Sequence, residues 1–258
     1  MSAARLRVVI TGASSGLGAA LAREYARRGA ILGLIARRHD PLAQLAAELG
    51  VESAVYAADV RDRYAMRAAG EDFRVRFGDA DIVIGNAGVS AGTLSDHADD
   101  HPVFQEILDI NVVGLFNTFQ PFLPAMRKAA SGTLVGIASV AGLRGLPGAG
   151  GYSASKAAAI AYLESLRVEL RGSGVSVVTI CPGYIDTPMT AGNPYPMPFM
   201  LQPEDAARRM ANAIERRKRW VVIPWQMRLA GAALKLMPNS LYDYLFANAP
   251  RKPRRAAP

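Results

Sequence analysis

The chain has 258 residues, half of them hydrophobic and 20% charged, which is a globular composition large enough for a substantial core. A single cysteine, Cys181, excludes an internal disulfide, and the three histidines (His39, His97, His101) lack the spacing of metal ligands, so no metal is expected. The net charge of +8 raises nucleic-acid binding, but the tail Arg251-Lys252-Pro253-Arg254-Arg255 carries four of those charges and no aromatic-and-basic interleaving accompanies them.

No apolar run reaches the roughly 18 residues a membrane span needs. Met1 and a few polar residues lead into Leu6-Arg7-Val8-Val9-Ile10, which reads as a chain without a signal peptide. With one cysteine, the expected location is the cytoplasm.

In chain order, 7–11 reads as a buried strand running into Gly12-Ala13-Ser14-Ser15-Gly16-Leu17-Gly18, followed by Leu17, Ala20, Leu21 and Tyr25 at helical spacing. Strand, glycine turn and helix together form a phosphate-binding context. Gly12 permits the turn, Gly16 lets a pyrophosphate approach, Gly18 lets helix and strand pack, and the helix start offers free N–H groups. The next strand, 31–36, ends in Arg37-Arg38. A free ribose 2′-hydroxyl usually meets an acid here, whereas two guanidiniums suit a 2′-phosphate, favouring NADP(H) over NAD(H).

A helix over 41–49 and a strand over 53–57 lead to Asp59-Val60, where an acid could accept from an adenine amino group. A helix over 63–77 and a strand over 81–85 precede Asn86-Ala87-Gly88; Asn86 could tie loop backbone together or touch the cofactor. One long helix is expected from His101 to Lys128, with Phe104, Leu108, Leu115 and Phe119 on a stripe that also holds Asn111. A buried amide must be bonded, as a structural tie or a catalytic positioner.

The strand 133–138 is followed by Ser139 at its C-terminal end, where open α/β sheets bind ligands. The loop 142–151 delivers the chain to a helix over 152–170 that starts with Tyr152 and carries Lys156 one turn on. On one helix face, an ammonium beside a phenol favours the phenolate and moves its pKa toward the working range. Ala154, Ala157, Ala158 and Ala161 offer close approach to another helix, as in a second subunit.

After the strand 175–180 and Cys181-Pro182-Gly183, residues 184–201 form a Pro-broken apolar loop, a lid over an apolar substrate or a plain connection. A helix over 203–217 and a last strand, 220–223, follow. Residues 225–237 and a second short helix ending at Phe246 are largely apolar with Arg228 and Lys235 on one face. That segment could lie in a membrane interface, pack on the domain, cover the substrate or join subunits. Residues 251–258 read as a basic, mobile tail.

These alternations imply one α/β domain, a doubly wound Rossmann-like fold with a seven-stranded parallel sheet over 1–224, a helical extension over 225–250 and the tail. The motifs Thr11-Gly12-x-x-x-Gly16-x-Gly18, Asn86-Ala87-Gly88, Asn111, Ser139, Tyr152-x-x-x-Lys156 and Pro182-Gly183 stand in order and spacing over residues 6–223. In these the chain resembles the classical short-chain dehydrogenases/reductases. It departs from them at Gly85, where the family often has Asn, and in the extension beyond 224.

The resemblance implies that Tyr152 exchanges a proton with the substrate oxygen and that Ser139 positions that oxygen. Lys156 would hold the nicotinamide ribose and lower the Tyr152 pKa, and Asn111 would anchor a water of the proton relay. Thr11, Gly12, Ser14, Ser15, Gly16, Leu17 and Gly18 would wrap the pyrophosphate; Asp59 and Val60 would face the adenine. Asn86, Ala87 and Gly88 would line the cofactor, with Pro182, Gly183 and Ile185 beside it and Thr187 on the carboxamide. Arg37, helped by Ser14 and Arg38, would hold the 2′-phosphate. The implied activity is hydride exchange between NADP(H) and a carbonyl or secondary alcohol of an apolar small molecule, by a homodimer or homotetramer. Oxidation of a steroid- or lipid-type alcohol, or nucleotide sensing without turnover, are the competing expectations.

Overall fold

The computed structural model describes residues 5–255. Seven strands, β1 (Arg7–Thr11), β2 (Ile31–Ala36), β3 (Ser53–Ala57), β4 (Ile82–Gly85), β5 (Gly132–Ile137), β6 (Val175–Pro182) and β7 (Trp220–Ile223), form one sheet. Every pairing is parallel and the order is β3-β2-β1-β4-β5-β6-β7. A parallel sheet must be covered on both faces, and successive strand residues point to opposite sides.

Val8, Ile10, Leu32, Leu34, Ile84 and Ile180 face α1 (Gly16–Arg27), α2 (His39–Leu49) and α8 (Pro203–Glu215), all in one core. Val9, Ile35, Val83, Leu134 and Val177 face the other core, with α3 (Arg63–Phe77), α5 (Gly114–Phe119), α6 (Leu123–Lys128) and α7 (Gly150–Glu169). Fully buried residues such as Leu32 and Leu34 each contribute about 1.5–3 kcal/mol by burial. The order reverses beside β1, so the loops leaving β1 and β4 diverge and open a crevice at the C-terminal edge.

The single helix expected over 101–128 is broken into three. α4 (His101–Leu108) passes into a π-helical turn, Asp109–Val113, then α5, and α6 begins only at Leu123. Pro121 has no N–H to continue the ladder, and Gly114 packs so closely that a Cβ there would lie 2.5 Å from Val60 Cγ2. The stripe changes with it: Phe104 is 38% exposed, while Val103, Ile107 and Ile110 turn inward.

The extension folds as α9 (Trp225–Leu236) and α10 (Asn239–Phe246). Arg144, from the loop after β5, donates to the carbonyls of Leu234 and Met237 at 3.2 and 3.0 Å and to Asn239 Oδ1 at 2.8 Å, closing the end of α9. The same guanidinium lies 4.4 Å from the Tyr242 ring centroid. Trp225, Leu229, Leu236, Leu241, Tyr244 and Leu245 remain exposed. Among the described residues no helix is long and apolar enough to cross a membrane.

Candidate active site

At the C-terminal edge a cleft of about 560 Å³ runs past the ends of β1 to β6. Six strands at ~4.8 Å spacing give it a span of about 24 Å, room for an extended ligand rather than a compact one. Its floor under β1 is backbone. Gly12 has φ +68°, which L side chains avoid, and a Cβ on Gly18 would lie 2.1 Å from the Gly12 carbonyl oxygen. α1 therefore starts directly against the strand end. Ser15 precedes it without a side-chain cap and its first turn holds no acid, so its leading N–H groups and positive dipole end face the cleft beside Ser14, Gly16 and Leu17.

Arg37, Arg38, Asp59 and Val60 line one end. The Asp59 carboxylate accepts from Arg61 Nε and Nη2 and from the Arg61 backbone N–H, and these bonds hold its pKa below the usual carboxylate value. Asn86 spans the two diverging loops: its Nδ2 donates to the carbonyls of Thr11 and Gly12 at 3.0 and 3.4 Å. It thus ties loop backbone together, and it lines the cleft as well, with Ala87 and Gly88.

Thr11 is different. It is fully buried behind the wall, and its hydroxyl accepts from the N–H groups of Asn86 and Ala87 and donates to the Ile84 carbonyl. Thr11 is thus a brace between β1 and β4 rather than a lining residue.

Ser139, Tyr152 and Lys156 meet at the other end. Ser139 leaves β5 with extended backbone, and its Oγ accepts the Ala141 N–H at 3.1 Å, which caps a short turn and fixes the side chain. Lys156 is 5% exposed and its ammonium donates to the Ile137 carbonyl at 2.8 Å, so α7 and β5 hold the two groups in one frame. Burial draws the Lys156 pKa down to about 8. Its Nζ lies 5.8 Å from the Tyr152 ring centroid.

The expectation that this ammonium makes the phenol acidic is corrected here. Burial raises the Tyr152 pKa above the free-phenol value, and the neighbouring Ser139 side chain opposes that rise.

Asn111 sits in the π-helical turn, 2% exposed and off the cleft wall. Its Oδ1 accepts the Val89 N–H at 2.9 Å, and its Nδ2 donates to the Val89 carbonyl and to Ser155 Oγ at 3.0 and 2.9 Å. The amide thus ties the loop after β4 to α7, one residue from Lys156.

Pro182, Gly183, Ile185 and Thr187 complete the wall after β6. Sequence reasoning missed Ala36, Ala58, Val89, Ile137, Ala138 and Met189 on the same wall. Most follow strand ends and carry no polar group; the signal that could have found them is position at the sheet edge alone.

A short chain dehydrogenase model matches residues 7–195. The chain belongs to that family. An oxidoreductase of Myxococcus xanthus is 40% identical over 238 residues, covering 91% of this chain and 94% of its own. A short chain dehydrogenase from Burkholderia cenocepacia in complex with NADP superposes with a TM-score of 0.81 at 26% identity, covering 93% of this chain and 97% of that one. A family member from Burkholderia phymatum in complex with NAD gives 0.81 at 25% identity, covering 97% and 98%. The chain is thus an oxidoreductase of the short-chain dehydrogenase family, and the glycine floor and free helix start of its cleft fit the pyrophosphate of a nicotinamide dinucleotide.

Proposed function

We infer that this short-chain dehydrogenase reduces a ketone or aldehyde on an apolar small molecule, with NADPH preferred to NADH. The observation that carries the reading is one continuous cleft with Ser139, Tyr152 and Lys156 at one end and Arg37 and Arg38 at the other. A nicotinamide dinucleotide bound there supplies the hydride. Tyr152, held protonated by its burial, gives its proton to the substrate oxygen as negative charge grows there. Ser139 hydrogen-bonds the same oxygen, and the Lys156 ammonium holds the ribose while adding positive charge behind the phenol.

Cofactor choice rests on the end of β2. Ala36-Arg37-Arg38 offers no carboxylate for a ribose 2′-hydroxyl, and the nearby Asp59 is engaged by Arg61. Guanidiniums there match a 2′-phosphate in charge and geometry. Ala154, Ala157 and Ala161, exposed with Phe116, support a helix-to-helix contact between two copies.

The test is a panel of ketones and aldehydes, compact and bulky, followed by NADPH absorbance with NADH in parallel. Turnover with NADPH well above NADH on an apolar carbonyl is the expected result. No oxidation of either cofactor across the panel, or a preference for NADH, would overturn it.

A further inference from the structure

Beyond α10 residues 251–255 of the expected mobile tail do not run free into solvent, and 256–258 lie outside the described residues. The Gly92 N–H donates to the Pro253 carbonyl at 2.9 Å, and Gly92 and Arg254 form an isolated parallel bridge. Gly92 packs so closely that a Cβ there would lie 2.2 Å from the Lys252 carbonyl oxygen. One residue on, Thr93 bridges to Ala149, joining the loop after β4 to the loop before α7. Arg251 lies over Gly148 of that second loop, 2.6 Å from where a Cβ would stand.

Charge explains why the tail settles there. Asp100 is 4% exposed and accepts Arg254 Nε on both oxygens, at 3.1 and 2.9 Å, together with the Leu94 N–H at 2.8 Å. Arg255 pairs with Glu106, and Asp96 and Asp99 add to the field around Arg254. A cationic segment, 251–255, thus meets an acidic patch at the start of α4.

The third loop is 185–201, whose ends are clasped: the Asp186 N–H donates to the Leu201 carbonyl and the Leu201 N–H to the Tyr184 carbonyl, at 2.9 and 3.0 Å. Between the clasped ends, Met189, Phe199 and Met200 are 42%, 52% and 37% exposed, and Phe199 holds a left-handed φ of +58°. Met189 also lines the cleft, and the half-buried Lys252 ammonium lies 3.4 Å from its carbonyl oxygen. The tail therefore touches loops that leave three different strands, β4, β5 and β6, around the end that holds Tyr152.

We propose that residues 251–255 are a strap that holds the 185–201 loop over the Tyr152 end of the cleft and so selects the size of the carbonyl compound admitted, with Asp100, Lys252 and Arg254 as its positioning residues. The selection of a carbonyl compound rests on the activity inferred above; the strap itself does not. With the strap seated, the apolar side chains of the loop close on a compact substrate. Released, the loop swings on its clasped ends and the mouth widens.

The test uses the full chain with three variants: Lys252→Ala, which cuts only the link to Met189, the double variant Asp100→Asn/Arg254→Gln, which leaves no buried charge unpaired, and the conservative Arg254→Lys. Residues 184–201 contain no Lys or Arg, so trypsin leaves the loop intact whereas chymotrypsin cuts it at Phe199. Where opening is fast relative to cutting, the cleavage rate follows the open population. The first two variants are expected to be cut at Phe199 about tenfold faster, with Arg254→Lys near wild type.

On the carbonyl panel the same two raise KM for compact substrates about tenfold at unchanged kcat, and shift the ratio of kcat/KM toward bulky ones. The calorimetric NADPH affinity stays within about twofold. Unchanged cleavage at Phe199 in both variants overturns the strap. Faster cleavage with an unchanged bulky-to-compact ratio overturns its role in selection. Should the wild type turn over no carbonyl, the activity reading fails separately and the cleavage rates still decide the strap.

Discussion

Beside β1 the cleft wall is backbone and glycine, whereas towards β6 it is made of side chains from the ends of β5 and β6, from α7 and from the loop after β6. Gly12, Gly16 and Gly18 lie within seven residues and are set by one strand, one turn and one helix. Outside the opposite wall, the loops that carry Thr93, Gly148 and Met189 meet the segment with Lys252, and of these residues Met189 lines the cleft. A pyrophosphate has one shape and needs one local cradle; a substrate end can be built from whatever segments the fold brings near. The first end is therefore rigid and intolerant, and the second is the place where relatives can diverge.

The sharpest way to break that comparison is at the chemistry of the end that holds Tyr152. Tyr152→Phe removes the only proton donor inferred for the substrate oxygen while keeping the ring. Its kcat is expected to fall about 10²–10⁴-fold, with NADPH binding unchanged by calorimetry. Wild-type turnover on an identified carbonyl would remove Tyr152 from the reaction.

The rigidity of the β1 end is tested next. Gly18→Val forces side-chain atoms into the space 2.1 Å from the Gly12 carbonyl oxygen, and α1 must move off β1. Overpacking of this kind costs about 1–3 kcal/mol, read as a lowered thermal midpoint, and the displaced helix start should abolish measurable nucleotide binding. The same substitution at Gly145 or Gly192, where a Cβ meets nothing within 4 Å, should leave nucleotide binding intact.

These contrasts also explain what could be read in the sequence. The strands were legible because each is a short, largely apolar run, several of them ended by Gly, Asn or Ser, and the glycine motif because its parts are contiguous. The long helix was misread because an apolar stripe spoke louder than Pro121, whose missing N–H ends the ladder whatever its neighbours prefer. The docked tail was not legible: Arg254 finds Asp100 across 154 positions, and nothing local to either residue signals it. Thr11 and Asn111 were recognised as important, yet their bonds serve the wall from behind, a distinction that only depth in the fold reveals.

The frame around Lys156 gives a pH signature. Its pKa is lowered in the folded chain to about 8 from an ordinary value of 10.5, so between those values the unfolded chain holds more protons. Stability from this group therefore rises with pH across that window, by at most about 1.4 kcal/mol per pH unit. Wild type minus Lys156→Met in thermal midpoint, without nucleotide, should climb from pH 8 toward 10. A flat difference would mean that the ammonium is not desolvated as its position implies.

An effect confined to one cofactor sharpens the comparison at the β2 end of the cleft, where specificity is carried by side chains rather than backbone. Arg37→Ala removes a guanidinium from the β2 end without touching the floor. A charge-assisted contact to a 2′-phosphate is worth about 1.5–3 kcal/mol, so the NADPH dissociation constant should rise roughly tenfold or more. NADH has no such phosphate and should bind as before. If both cofactors weaken equally, Arg37 supports the wall generally; if neither does, Arg38 or Ser14 holds the phosphate, and the double variant Arg37→Ala/Arg38→Ala separates those two. Calorimetry on the same preparations reads all four constants, and because Gly12 to Gly18 are untouched, any loss belongs to the side chains alone.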